Sequence, residues 1–109
     1  MQRGDIYTAA ARGSYSSKPR PVVIIQDDRF DATASVTVVP LTTSEVEAPL
    51  LRLPVQPSDT TGLTRFSQLM VDKVTTVPRT SLTQRLGRLS DPDVVALDRA
   101  LVVFLGLAV

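Results

Sequence analysis

The stretch Lys18–Asp28, KPRPVVIIQDD, carries the clearest fold signal in the chain. Residues 20–26, RPVVIIQ, are β-branched and almost continuously apolar, which predicts a strand that is buried on both faces. Pro19 and Pro21 flank Arg20, and each proline favours an extended backbone for the residue before it. The sequence therefore predicts a guanidinium held on a stiff segment where a buried strand begins.

Apolar segments before and after this strand predict further short strands. They lie at residues 4–10, 35–41, 50–55, 67–77 and 86–89. Pro40 marks the end or an edge of the strand at 35–41. The segment 67–77 forms either one long strand or two strands with a kink between them. Residues 12–19, RGSYSSKP, are rich in Gly and Ser and are predicted to form a loop.

The segment 90–107, SDPDVVALDRALVVFLGL, predicts a terminal helix. Ser90 is a typical N-cap, Asp93 lies three residues on as in a capping box, and Gly106 is a natural stop. Apolar residues follow the helical period at Val94, Leu97, Leu101 and Leu105. Short strands followed by one helix favour a small closed or half-closed antiparallel barrel, with the helix over an open end or face.

Composition limits the chemistry that is open to this chain. Its 109 residues fit one domain, residues 1–109, and its net charge of +1 means that a polyanion must be bound by a local cationic cluster. It has no Cys and no His, which excludes disulfides, thiolate ligands and imidazole acid/base chemistry. The sequence therefore favours a reducing cytoplasm.

Neither end of the sequence predicts membrane insertion. The N-terminus lacks the apolar core of a signal peptide. The C-terminal apolar stretch contains Asp98 and Arg99 and is too short to span a bilayer. A chain this short also buries a limited share of its surface, so oligomerisation would help its stability.

Arg20 and Lys18 form the first candidate site. A guanidinium can bind two phosphate oxygens at once, and it loses less entropy when it is held in place before binding. The two residues therefore suit a phosphodiester ligand. The alternative is that Arg20 pairs with an aspartate, for example Asp5 or Asp27, and only stabilises the barrel.

Two polar pairs at other strands are further candidates. Thr42 and Thr43 end a buried strand, where a hydroxyl can donate to a phosphate oxygen; the alternative is an ordinary turn hydrogen bond. Asp72 and Lys73 interrupt an apolar strand, which indicates a cleft or a subunit seam; the alternative is a solvated edge.

These segments, in this order, resemble the MazF/PemK (Kid) family of toxin endoribonucleases. The resemblance extends over residues 3–107 and rests on RGDIY, GSYSSKPRPVVIIQDD, VTVVPLTT, LMVDKVTTVPRTSL and the closing helix. It implies an SH3-like antiparallel β-barrel of five to seven strands with a C-terminal α-helix, assembled as a homodimer. It also implies cleavage of single-stranded RNA without a metal or other cofactor. Inhibition by an antitoxin with an acidic, partly disordered segment is implied as well.

The resemblance also assigns roles to residues. Arg20 and Thr42 match the catalytic arginine and threonine, and Thr43 takes the second role if the alignment slips by one residue. Asp72 matches an acidic residue that lines the RNA groove, and it is our candidate for the general base that accepts the 2′-OH proton. The residues expected to contact RNA are Tyr15, Ser16, Lys18, Gln26, Thr43, Ser67 and Lys73.

The chain departs from the family pattern at two places. Gly13, Ser14 and Tyr15 replace the common Gly-Ser-Glu, and residues 72–75, DKVT, replace Asp-Gln-x-Arg. These differences leave the base preference open. Two other functions also remain open: a CcdB-like gyrase inhibitor on the same fold, and a catalytically inactive dimer that binds antitoxin or nucleic acid. The first is disfavoured because the chain ends in FLGLAV without a tryptophan.

Overall fold

The computed structural model of the chain describes residues 1–10 and 18–108. The strands are β1 (Asp5–Ala9), β2 (Arg20–Ile24), β3 (Ser35–Thr42), β4 (Arg52–Val55), β5 (Ser67–Met70), β6 (Thr75–Pro78) and β7 (Leu82–Arg88), and the helix is α1 (Asp91–Phe104). Short 3₁₀ turns lie at Asp28–Phe30, Val71–Lys73 and Arg79–Ser81.

The strands form one seven-stranded antiparallel sheet in the order β4-β5-β3-β2-β1-β7, and β6 also pairs with β3. β3 is the central strand. It pairs with β2 through residues 38–40, with β6 through residues 35–38 and with β5 through residues 41–42. This confirms the predicted fold class, a mainly β, barrel-like antiparallel sheet with a C-terminal helix, although β4 and β7 are not paired with each other among the described strands.

The segment after β4 crosses the backbone of β7 at very short range. Arg88 N donates to Thr60 O at 2.9 Å. A Cβ atom on Gly87 would lie 2.3 Å from Thr60 O and 2.4 Å from Thr61 C, so this crossing requires glycine. The contact joins the region after β4 to β7, where the sheet itself is open.

The centre of the sheet is buried on both faces. One face packs against α1, and its core includes Ile6, Val23, Val39, Leu69, Leu97 and Leu101. The opposite face buries a second cluster, made of Ala9, Val22, Ile24, Val36 and Val38. The prediction that residues 20–26 form a strand buried on both faces is therefore confirmed for β2, because Val22 and Val23 belong to different clusters.

The helix begins as predicted. Asp93 N donates to Ser90 Oγ at 3.2 Å, so Ser90 is the N-cap. Of the apolar residues that follow the helical period, Leu97 and Leu101 are buried, whereas Leu105 is not. Leu105 follows the last helical residue and its side chain is 53% exposed. No helix in the described part of the chain is long and apolar enough to cross a membrane.

The alternative of two strands within residues 67–77 is confirmed, because the 3₁₀ turn Val71–Lys73 separates β5 from β6. The bounds of other strands differ from prediction. β3 continues past Pro40, which is tolerated because β3 changes partner there from β6 to β5. β7 begins at Leu82 rather than at 86, because exposed polar residues in its first half hide the apolar alternation.

Candidate active site

A cleft of about 300 Å³ lies where β2 begins and where β3 and β5 end. It is lined by Arg20, Pro40, Leu41, Thr42, Ser44, Met70 and Lys73. Val22 pairs with Pro40, so extending the β2–β3 register by two residues places Arg20 opposite Thr42. The antiparallel register thus brings together two residues that lie far apart in the sequence.

The cleft lies on the sheet face that is opposite α1. Side chains two residues apart point to the same face of a strand, so Arg20 shares a face with Val22. Thr42 shares a face with Val38 in the same way. Val22 and Val38 belong to the second apolar cluster, away from the helix. β2 and β3 therefore hold the Arg20 and Thr42 side chains on the same sheet face as the second apolar cluster.

The cleft is cationic. Arg20 and Lys73 are exposed, and neither forms an ion pair with a residue that the structure describes. The cleft-lining residues that belong to the described ranges include no carboxylate. Two charges without partners at the rim of one cleft favour an anionic ligand, since they gain charge-assisted hydrogen bonds on binding. Within residues 1–10 and 18–108, His, Cys, Asp and Glu side chains form no cluster that would hold a metal ion.

The two aspartates proposed as alternative partners of Arg20 are paired elsewhere. Asp5 Oδ1 lies 3.3 Å from Arg85 Nη2 and 3.4 Å from Arg88 Nη1. Asp27 Oδ1 lies 3.0 Å from Arg29 Nε, and this hydrogen bond lowers the pKa of the Asp27 carboxyl below its ordinary value. The alternative in which Arg20 is a structural partner of Asp5 or Asp27 is therefore wrong.

The structure separates the two candidate threonines. Thr42 is half-buried and lines the cleft, whereas Thr43 is exposed and is not part of the lining. Thr42 Oγ1 accepts from Ser44 N at 3.1 Å, which is the turn hydrogen bond that we gave as the alternative. Because this bond uses the oxygen as an acceptor, the hydroxyl proton remains available to a ligand.

Asp72 is placed differently from the prediction. It lies in the 3₁₀ turn Val71–Lys73 rather than on a strand, and its Oδ1 accepts from Arg52 Nη1. It does not line the cleft, although the next residue, Lys73, does. The assignment of Asp72 as a strand residue is wrong, and the structure does not bring its carboxylate to the cleft as a base.

Four other residues expected to contact RNA lie outside the cleft lining. Lys18 is exposed, two residues before Arg20. Gln26 Nε2 donates to Phe30 O and Thr33 Oγ1, both at 2.7 Å, so its amide is used within its own loop. Ser67 is 2% exposed, and its hydroxyl donates to Arg65 O at 3.1 Å. Thr43, described above, is the fourth.

Two further residues expected to contact RNA, Tyr15 and Ser16, lie outside the described residues. The predicted loop at 12–19 is also outside them, except for its last two positions.

Ser44 was not predicted from the sequence as a site residue, and neither was the residue that fixes its loop. Ser44 lines the cleft two residues after Thr42. Gln68 of β5 holds the loop: Val46 N donates to Gln68 Oε1 at 3.0 Å, and Gln68 Nε2 donates to Val46 O at 3.2 Å. Because Val46 and Gln68 lie far apart in the sequence, no local pattern predicts their contact. Only the run Thr42-Thr43-Ser44 indicated that Ser44 could belong to the site.

A small antiparallel barrel-like sheet with a cationic, hydroxyl-bearing cleft at its strand ends defines a known class of protein. Residues 2–105 match the family described as PemK-like, MazF-like toxin of type II toxin-antitoxin system. The chain belongs to this family, and the resemblance drawn from the sequence is confirmed.

Within this class, the chain is similar to particular mycobacterial proteins. It is 70% identical to the probable endoribonuclease MazF of Mycolicibacterium smegmatis, with 99% of each chain covered. It is 30% identical to the endoribonuclease MazF9 of Mycobacterium tuberculosis, with 98% of each covered. A solved structure of an endoribonuclease in complex with its cognate antitoxin, from Mycobacterial species, is 26% identical with a TM-score of 0.80, and the match covers 100% of this chain and 98% of that one.

Proposed function

We propose that this chain is the endoribonuclease toxin of a type II toxin–antitoxin system and that it cuts single-stranded RNA in the cleft without a metal ion. The observation that carries the proposal is that Arg20, which forms no ion pair with a described residue, lines the same cleft as Thr42. The endoribonuclease names of the full-length relatives support the same activity.

The proposed reaction is an attack by the ribose 2′-OH on the adjacent phosphorus. The new P–O bond forms as the bond to the 5′-oxygen breaks, which gives a 2′,3′-cyclic phosphate and a 5′-OH end. The 2′-OH loses its proton and the leaving 5′-oxygen gains one, so water is not consumed in this step. The phosphorane transition state carries extra negative charge on its non-bridging oxygens, and this charge is what the cleft must stabilise.

The cleft provides three groups for that purpose. The Arg20 guanidinium can donate to two phosphate oxygens at once, and Lys73 adds a second positive charge. Thr42 can donate its hydroxyl to a non-bridging oxygen or orient the 2′-OH. Because Asp72 is bonded to Arg52, we do not retain it as the base, and the proposal rests on charge stabilisation and hydroxyl donation.

We further propose an antitoxin partner and a homodimer. An acidic antitoxin segment lying along the cleft would pair with Arg20 and Lys73 and would exclude RNA. A dimer would cover apolar side chains at the C-terminal end, where Val102, Val103, Phe104, Leu105 and Leu107 are 36% to 74% exposed. A cytoplasmic location, where a reducing environment and RNA coexist, fits a chain without Cys.

The test is to incubate the purified chain with single-stranded RNA in EDTA and to map the new ends. The proposal predicts cleavage in EDTA, with 2′,3′-cyclic phosphate and 5′-OH ends. Cleavage that requires added Mg²⁺ would contradict the metal-free mechanism. If RNA stays intact, DNA breaks trapped with gyrase would favour the gyrase inhibitor, and the absence of both activities would leave the inactive binder.

A further inference from the structure

The 3₁₀ turn Val71–Lys73 lies where β5 gives way to β6 and where the cleft wall ends. It is fixed to the start of β4 at two points. Val71 N donates to Leu51 O at 3.0 Å, and Arg52 Nη1 donates to Asp72 Oδ1. Val71 itself is fully buried. The backbone path of the turn is therefore set by contacts outside the cleft.

The ion pair that holds the turn is partly removed from solvent. The Arg52 side chain is 12% exposed, and that of Asp72 is 31% exposed. Arg52 Nε is buried without a hydrogen-bond partner among the described residues, so Nη1 carries the contact. A buried pair is screened less by salt than a surface pair, and removing one partner leaves the other charge uncompensated. Loss of Asp72 should therefore displace the turn.

Lys73 has no comparable anchor of its own. Its side chain lines the cleft, and within the described chain it makes no ion pair or side-chain hydrogen bond. A lysine side chain is long and flexible, so the position of its ammonium depends on where the backbone holds it. The backbone at Lys73 is fixed by the residue before it.

From these contacts we propose that Arg52 and Asp72 are positioning residues, which hold the turn so that Lys73 contacts an RNA phosphate in the cleft. The inference rests on the proposed function, because it requires RNA in this cleft. It gives Asp72 a role different from that of a groove-lining acid or base. Neither Arg52 nor Asp72 touches RNA, and each acts through Lys73.

The experiment measures the salt dependence of RNA binding. The probe is a fully 2′-O-methylated RNA of the sequence found by mapping cleavage. It lacks the 2′-hydroxyl that would attack the phosphorus, so it is not cleaved during the measurement. One lost phosphate contact on a single strand lowers the slope of log Kd against log salt by about 0.7. For a tenfold rise in salt concentration, Kd of such a variant should therefore increase by a factor about fivefold smaller than Kd of the wild type.

We expect Lys73→Met, Asp72→Asn and Arg52→Met each to lower the slope by about 0.7. The double variant Asp72→Asn/Lys73→Met should show no further loss, since both changes remove the same contact. Arg52→Lys should keep the slope, because an ammonium can still pair with Asp72.

Asp31→Asn is the matched control. It removes the charge of Asp31, whose Oδ1 lies 3.4 Å from Arg79 Nη1, and neither residue lines the cleft. Removing an ion pair that only stabilises the fold should lower the melting temperature without changing the salt slope of RNA binding. We expect this behaviour of the Asp31→Asn control.

Several outcomes would overturn the proposal. A wild-type slope in Arg52→Met would show that the pair does not position Lys73, and an unchanged slope in Lys73→Met would show that Lys73 does not contact phosphate. Additive losses in the double variant would show separate contacts. If Asp72→Asn does not fold, Arg52→Met still tests the proposal. It leaves the partly exposed Asp72 carboxylate without a partner, whereas Asp72→Asn leaves the largely buried Arg52 cation without one. If the wild-type chain binds no RNA, the proposed function fails, and the inference fails with it.

Discussion

Replacing Arg20 with Ala should abolish most RNA cleavage while leaving the fold intact. Arg20 is exposed and pairs with no described carboxylate, so its loss should change the free energy of unfolding by no more than about 0.5 kcal/mol. A donor aimed at developing charge in a transition state contributes about 3–4 kcal/mol. The rate should therefore fall by about two to three orders of magnitude.

Arg20→Lys separates charge from geometry at the same position. Lysine keeps the positive charge but loses the planar fork that binds two oxygens at once. We expect a rate between those of the wild type and Arg20→Ala, because one point contact replaces a bidentate one.

The assay is single-turnover cleavage of an end-labelled RNA in EDTA with enzyme in excess. These conditions report the chemical step without product release. Thermal unfolding of each variant is measured in parallel. Arg65→Ala is the control, because Arg65 is an exposed arginine that does not line the cleft.

Three results would contradict the proposed role of Arg20. A rate for Arg20→Ala within about threefold of the wild type would show that the guanidinium does not stabilise the transition state. A large fall in melting temperature together with lost activity would show that Arg20 supports the fold instead. Equal losses in Arg20→Ala and Arg65→Ala would point to general electrostatics rather than to this cleft.

Three further predictions test the cleft threonine, the close backbone crossing and the helix cap. Thr42→Val should reduce cleavage in EDTA at least tenfold, on the order of one lost hydrogen bond to a charged group, whereas Thr43→Val should stay near the wild-type rate; the reverse order would contradict the assignment of Thr42. Gly87→Ala should destabilise the fold by about 2–4 kcal/mol in urea unfolding, because the added Cβ would meet backbone atoms. Gly106→Ala should cost only about 1–2 kcal/mol, because its positive φ is unfavourable for alanine but the added Cβ would meet no other atom. Equal effects of the two substitutions would contradict the close crossing at Gly87. Ser90→Ala should cost about 1 kcal/mol through loss of the helix cap, and an unchanged midpoint would contradict that role.

The parts of the fold that follow from local pattern were predictable. β2 and β3 are apolar and β-branched on both faces, and α1 has a cap and a helical period, so their types and approximate bounds could be found from the sequence. β7 was underestimated because exposed residues at its start carry no apolar alternation. Its position depends on pairing with β1, which is a long-range contact.

In the candidate site, too, residues marked by local sequence were predictable and those placed by long-range contacts were not. Arg20 and Thr42 each lie at the end of a strongly apolar strand, so local sequence was enough to mark them. Asp72 was misplaced because the apolar run around it hides a 3₁₀ turn, and its ion pair with Arg52 bridges two elements that no local pattern connects. Side-chain contacts of this kind become visible only when the chain is folded.

The most direct test of the central claim is a crystal structure of the chain with the uncleavable 2′-O-methylated RNA. The account predicts one phosphate in the cleft, with its oxygens within hydrogen-bond distance of the Arg20 guanidinium and the Thr42 hydroxyl. RNA bound elsewhere on the protein, with Arg20 still in solvent, would contradict it.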